Sequence, residues 1–240
     1  MIDAALPLAS FVDSFADAID FILQKQPART SATEVGGPGL IADLLLKHVR
    51  ITALALAVSL AIALPLGVIL GHRGKGELIA VGIGNAGRAV PELALIAFMA
   101  TAIGTGLLNV TIALAVLGIP PILTNAFVGV RQVDRAAVDA ARGMGMSERE
   151  VITRVELPLA VPTIMGGVRT AAITIVATAT IAPLAGVLTL GELFLSRNVY
   201  GDEGVLAGAI VVALLALAIE LSLAAAQRAM TSRGLKLQTA

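Results

Sequence analysis

The chain has 240 residues, 57% of them hydrophobic and 14% charged, with a mean hydropathy of +0.91 and no net charge. Soluble domains carry about 25% charged residues, so this composition indicates a polytopic membrane protein. The balanced charge gives no global basic face for nucleic acid, and the absence of cysteine excludes disulfides, iron–sulfur clusters and thiol chemistry.

The N-terminus lacks the basic start of a signal peptide, and Asp13, Asp17 and Asp20 interrupt any apolar core there. Leu8, Phe11, Val12, Phe15, Ile19, Ile22 and Leu23 follow helical spacing, with the acidic residues on the other side. An acidic amphipathic helix is expected, lying on the membrane surface or against a partner helix, with a poorly ordered extension as the alternative. Residues 24–39 are polar and rich in Gly and Pro, and are expected to be a linker.

Five apolar spans follow, at about 51–70, 78–100, 110–130, 159–181 and 205–226. Twenty helical residues cover about 30 Å, one hydrocarbon thickness. Pro65 lies in the first span and Pro120-Pro121 in the third, where neighbouring helices can resatisfy the freed carbonyls. Residues 101–109 suit a polar turn, and 183–202 a re-entrant or surface helix. Lys and Arg are distributed unequally between the two sides. One side receives Arg73, Lys75, Arg131, Arg135, Arg142, Arg149, Arg154, Arg228, Arg233 and Lys236; the other receives Lys25, Arg29, Lys47, Arg50 and Arg197. The first side is therefore expected to be cytoplasmic, with the C-terminus, and the N-terminus outside.

Charges inside spans are costly and usually face the interior of a bundle. Arg88 and Glu92 flank Pro91 and stand four residues apart, close enough to pair on one helix turn. A kinked span of this kind often lines a pathway, and simple bundle stabilisation is the alternative. Arg169 and Glu220 could pair between helices, most simply to hold them together. Gly82, Gly84 and Gly87 match GxGxxG without a βαβ context, so they indicate close helix packing. The loop 71–76 fails the Walker A spacing, so no nucleotide site is legible. His48 and His72 are far apart, and neither has a partner at metal-ligand spacing. There is no Trp and only Tyr200, so the chain cannot build an aromatic cage for a quaternary ammonium.

Between the third and fourth spans lies a charged island, residues 134–162. Ala136, Ala137, Ala140 and Ala141 favour a first helix, and Gly143 and Gly145 end it. Ser147 and Glu150 form a capping box for a second helix that runs through Glu156 to Pro158. Glu148 and Glu150 are expected on a solvated face. A short helix with an alanine face at its tip can be approached closely by a partner.

Asp139, Ala140, Ala141, Gly145, Leu157 and Pro158 resemble the acidic-Ala-Ala, Gly, Leu-Pro signature of ABC-importer permeases, with Asp139 where Glu is usual and Ile152 where Phe is common. The runs at 82–172 and the later Leu190-Gly191-Glu192-Leu193-Phe194 resemble more narrowly the permeases for glycine betaine, carnitine, choline and related osmoprotectants. Glu92 departs from that pattern, standing where a small polar residue such as Ser is usual.

The resemblance implies an all-α, polytopic helix bundle of about five core transmembrane helices, with an N-terminal amphipathic segment and linker at 1–39. The permease domain would occupy 40–240, with a coupling region at 134–158. It implies a non-catalytic transport subunit in the inner or plasma membrane, importing an osmoprotectant or similar quaternary amine by alternating access. Partners would be two ATPase subunits carrying ATP and Mg, an extracytoplasmic substrate-binding protein, and a second copy or paralogous permease. Asp139, Ala140, Ala141, Gly143, Gly145, Leu157 and Pro158 would couple to the ATPase. Arg88, Pro91, Glu92 and Arg169 would line the path, and 191–202 would face the binding protein. The alternatives are a permease for an amino acid or other small solute, and an ATP-independent secondary transporter, for which no internal repeat is visible.

Overall fold

Apolar runs of this length fold as helices because lipid offers no partners for backbone N–H and C=O groups. The computed structural model describes residues 5–231, with the backbone alone at 5–11, 79, 81, 83, 85, 86 and 88. Four helical stretches are long and apolar enough to cross a membrane: Gly37–Arg73, Leu107–Arg131, Glu148–Ala185 and Arg197–Met230. We label the elements α1 (Ala5–Leu23), β1 (Lys25–Pro27), β2 (Glu34–Gly36), α2 (Gly37–Arg73), α3 (Glu77–Ala89), α4 (Glu92–Ile103), α5 (Leu107–Arg131) and α6 (Arg135–Gly143). Then come α7 (Glu148–Val151), a π turn (Ile152–Glu156), α8 (Leu157–Thr178), a 3₁₀ segment (Ala179–Ala185), α9 (Glu192–Leu195) and α10 (Arg197–Met230).

The second expected span is two helices rather than one. Pro91 disfavours helical backbone at the residue before it, and Val90 and Pro91 are both extended, with ψ of 120°. Arg88 and Glu92 consequently lie on different helices, so the one-turn spacing that suggested their pairing does not exist. The Arg88 side chain lies outside the described residues. The two helices run antiparallel along α5: the Thr124 hydroxyl donates to the Ala80 carbonyl at 3.0 Å, and Ile96 packs in the cluster that holds Val110 and Leu114. A Cβ at Gly84 would overlap the Thr124 side chain, and one at Gly87 the Pro120 ring. Two of the three motif glycines thus seat α3 on α5, while Gly82 faces open space.

α5 is the central helix, touching α2, α3, α4 and α8. Around it lie two apolar clusters. One gathers Ala63, Ile122, Phe127, Val138, Ala141, Val151 and Ile164, and so includes the charged island's own core. The other gathers Ile51, Ala55, Ile96, Leu114 and Ile175.

A third cluster holds the N-terminal region down. Ala18 and Phe21 of α1 pack with Ile41, Leu44, Leu190, Leu193 and Ala207, and Phe21 meets Tyr200 edge-to-face at 6.3 Å between ring centroids. Val12, Ile19 and Leu23 remain exposed, so only part of the apolar stripe of α1 is covered by the chain. The stretch expected to be a linker contains an antiparallel hairpin, with Gln26 opposite Val35, and α2 starts directly after it. The stretch expected to be a re-entrant or surface helix is the 3₁₀ segment, a turn, the four-residue α9 and the start of α10, which bends at Gly201.

Candidate functional site

The charged island folds as a helix, a glycine turn and a second helix. Asp134 opens α6 by accepting the Ala136 N–H at 2.9 Å. Gly145 adopts φ of +84°, a left-handed conformation open to glycine at little cost. Ser147 and Glu150 form the expected capping box: the Ser147 N–H donates to Glu150 Oε2 at 3.1 Å, and Ser147 Oγ accepts the Glu150 N–H.

The signature residues divide between two faces. Val138 and Ala141 point into the apolar core, and Ala141 is 1% exposed. Asp139, Ala140 and Gly143 lie on the opposite, exposed face, with Ala136 one turn earlier. Across Ala140 and Gly143 this face carries almost no side-chain bulk, so another protein can approach the helix closely. Asp139 stands at its edge, 3.8 Å from Arg142. Leu157 and Pro158 are not on this helix; they open α8, half-buried, beyond the π turn.

Glu148 and Glu150 are not merely solvated. Arg142 donates through Nε and Nη2 to Glu148 at 3.1 and 2.9 Å, which holds the guanidinium above its ordinary pKa. His72, at the end of α2, lies 3.1 Å from Glu148 and 2.7 Å from Glu156. These contacts escape sequence reasoning because His72 and Glu156 are 84 positions apart. The available signal is a carboxylate two residues before Pro158, at the border of an apolar run.

Within the spans, α8 presents Gly166, Arg169, Thr170, Ile173 and Thr174 along one half-exposed face. Thr170 and Thr174 line two cavities. One, of about 220 Å³, is bounded by Glu92, Val90, Pro120 and Pro121. The other, of about 360 Å³, is bounded by Arg169 and Glu220. Glu92 accepts a hydrogen bond from the Thr178 hydroxyl at 2.7 Å. Arg169 pairs with Glu220 of α10, and its Nη1 donates to Gln227 at 3.1 Å. The chain thus gathers Glu92 and Arg169 on two sides of one face of α8, and Pro91 breaks the helix that brings Glu92 there. Among the described residues no group of three or more His, Cys, Asp or Glu could hold a metal ion.

Residues 63–233 match the family described as binding-protein-dependent transport system inner membrane component. The chain belongs to this family. The permease is 36% identical over 191 residues to the choline transport system permease protein OpuBB of Bacillus subtilis (strain 168), covering 79% of this chain and 88% of that one. It is 35% identical over 191 residues, with the same coverage, to the carnitine transport permease protein OpuCB of Listeria monocytogenes. The osmoprotectant import permease protein OsmW of Salmonella typhimurium is 29% identical over 204 residues, 82% of this chain and 95% of the relative. Among solved structures, the inward-facing MetNI methionine ABC transporter aligns with a TM-score of 0.69 at 21% identity, over 81% of this permease and 97% of that chain. An amino acid ABC transporter with histidines aligns with a TM-score of 0.61 at 18% identity, over 80% of this permease and 94% of that chain. The fold is therefore that of ABC-importer permeases, and the permease is a multi-pass membrane protein of an ATP-driven import system.

Proposed function

We propose that this permease imports a quaternary-amine osmoprotectant such as choline, carnitine or glycine betaine. The observation that carries the proposal is the likeness of about four-fifths of the chain to permeases named for those cargoes. ATP and Mg belong on two ATPase subunits, which receive α6 of this permease and of a second copy or paralogue. The exposed face at Ala136, Asp139, Ala140 and Gly143 is the docking surface, and Gly145 sets the angle at which α6 stands off α7. Ala141, Leu157 and Pro158 support that surface from beneath. Pro91, Glu92 and Arg169 flank the path. Selection of cargo falls largely to an extracytoplasmic binding protein, which meets the surface built by the hairpin, α9 and the start of α10. On this arrangement α6 and the C-terminus are cytoplasmic and the N-terminus is outside.

The test is uptake by the permease reconstituted with its ATPase and binding protein. ATP-dependent accumulation of radiolabelled choline, carnitine or glycine betaine is expected, with none of methionine. Methionine uptake in preference to all three would overturn the cargo assignment, and flux through the permease alone, without ATPase, would overturn the mechanism.

A further inference from the structure

The π turn before α8 has a sequence cause and a structural effect. Pro158 has no N–H to give the Arg154 carbonyl, so the regular ladder cannot continue through it. The Leu157 N–H instead bonds the Ile152 carbonyl, five residues back. The additional residue in that turn changes which side chain lies beneath Val151. In an unbroken α-helix it would be Val155; here it is Glu156 that is turned inward, to 1% exposure. A carboxylate so buried needs a partner.

That partner comes from a distant part of the chain. The His72 ring, at the foot of α2 and 12% exposed, stands between two carboxylates, with Nδ1 2.7 Å from Glu156 Oε2 and Nε2 3.1 Å from Glu148 Oε2. Ionised carboxylates only accept, so the ring bridges both when each of its nitrogens carries a proton. Glu148 also receives the forked hydrogen bonds of Arg142, and Arg142 reaches Asp139. A continuous row of polar side chains in contact therefore runs from Asp139 at the edge of the exposed face of α6, through Arg142 and Glu148, to His72 at the foot of α2.

Chain continuity already ties this region to two spans: α5 leads into α6 after three residues, and α7 continues through the π turn into α8. The foot of α2 has no such covalent tie. Among the described residues, the contacts between an ionisable side chain of α2 and a carboxylate of the coupling region are those of His72, with Glu148 and Glu156. We propose that His72 is a positioning residue for energy coupling: by holding Glu148 and Glu156 together it fastens the docking helix to the foot of α2. A displacement imposed on α6 then reaches α2 along with α5 and α8. This inference rests on the importer function proposed above.

The experiment measures cargo moved per ATP hydrolysed by the complete importer in proteoliposomes, with radiolabelled choline, carnitine and glycine betaine as probes. His72→Leu is expected to lower that ratio at least fivefold while ATP hydrolysis continues. His72→Arg, which restores a forked donor, should recover most of it. His72→Leu with Glu156→Leu removes the buried carboxylate that the single change leaves unpaired. This double variant should assemble as well as wild type and still transport poorly per ATP. A ratio within twofold of wild type in His72→Leu, recovery in the double variant, or no recovery in His72→Arg overturns the inference alone. Absence of uptake of all three probes by the wild-type complex overturns the importer assignment, and this inference falls with it.

Discussion

At the residue scale, Ala140 and Ala141 are neighbours with opposite environments. Ala140 lies on the open face of α6, whereas Ala141 lies against the core that Val138 and Val151 share. Arginine at the two positions should therefore fail differently. Ala140→Arg places a long side chain on the exposed face proposed above for the ATPase, at little cost to the permease itself. Pull-down of the ATPase and ATP-driven uptake should both be lost, while membrane yield and melting temperature stay at wild-type values. Ala141→Arg buries an unpaired charge, at about 3–5 kcal/mol, and should loosen the region itself, seen as faster hydrogen exchange across α6 and α7. Equal losses of stability in the two variants would contradict the split of faces. The acidic-Ala-Ala spacing was readable from sequence, but the division into an exposed and a packed face was not, because it depends on where the core lies. The capping box at Ser147 and the turn at Gly145 were legible because they are local devices whose chemistry lies within a few residues.

At the element scale, the break between α3 and α4 brings Glu92 to the cavity beside Thr170 and Thr174. Hydropathy over residues 78–100 sees one apolar stretch, and only Pro91 announces two helices. Replacing Pro91 with Ala removes the constraint on Val90 and lets the α3 hydrogen-bond ladder continue. A continuous helix turns Glu92 by about 100° per added residue relative to the preceding turn, away from the Thr178 hydroxyl. Uptake should fall severalfold with expression unchanged, and adding Thr178→Ala should cost little more, since the hydrogen bond is already lost. A full additional loss from Thr178→Ala would show that Glu92 had kept its place. The hairpin at Lys25–Pro27 and Glu34–Gly36 was invisible for a different reason. Its strands are three residues each, too short to show alternation, and Val35 is held against the cluster that α1 and α2 share, a contact that depends on the tertiary fold.

At the scale of the whole molecule, the N-terminal helix is part of the fold. Phe21 is fully buried between α2, α9 and α10. Phe21→Ala should cost about 3–5 kcal/mol and lower the melting temperature of the detergent-solubilised permease. A change of less than a degree would mean that α1 is only loosely attached. The overall orientation can be tested with equal clarity, because the chain has no cysteine and any single cysteine introduced is the only thiol. Asp134→Cys and Arg197→Cys are expected to react with a membrane-impermeant maleimide from opposite faces of intact vesicles. Labelling from the same face would show that Glu148–Ala185 does not cross the membrane, and labelling of Asp134→Cys from outside and Arg197→Cys from inside would reverse the orientation inferred from Lys and Arg counts. Those counts left the N-terminal side ambiguous, since its basic residues lie mostly before the first span. Composition and period located the apolar runs along the chain, but of the five expected spans the described residues form four helical stretches of crossing length, the run at 78–100 being two shorter helices.

The break at Val90-Pro91 also has a mechanical meaning. Ala80 of α3 belongs to the cluster shared with the charged island, and Ile96 of α4 belongs to the other. A rigid rod through both would make one end of the bundle follow the other. Two rods joined by two extended residues act as a knuckle: each half can tilt with its own neighbours, and a load taken up at one end need not be felt at the other.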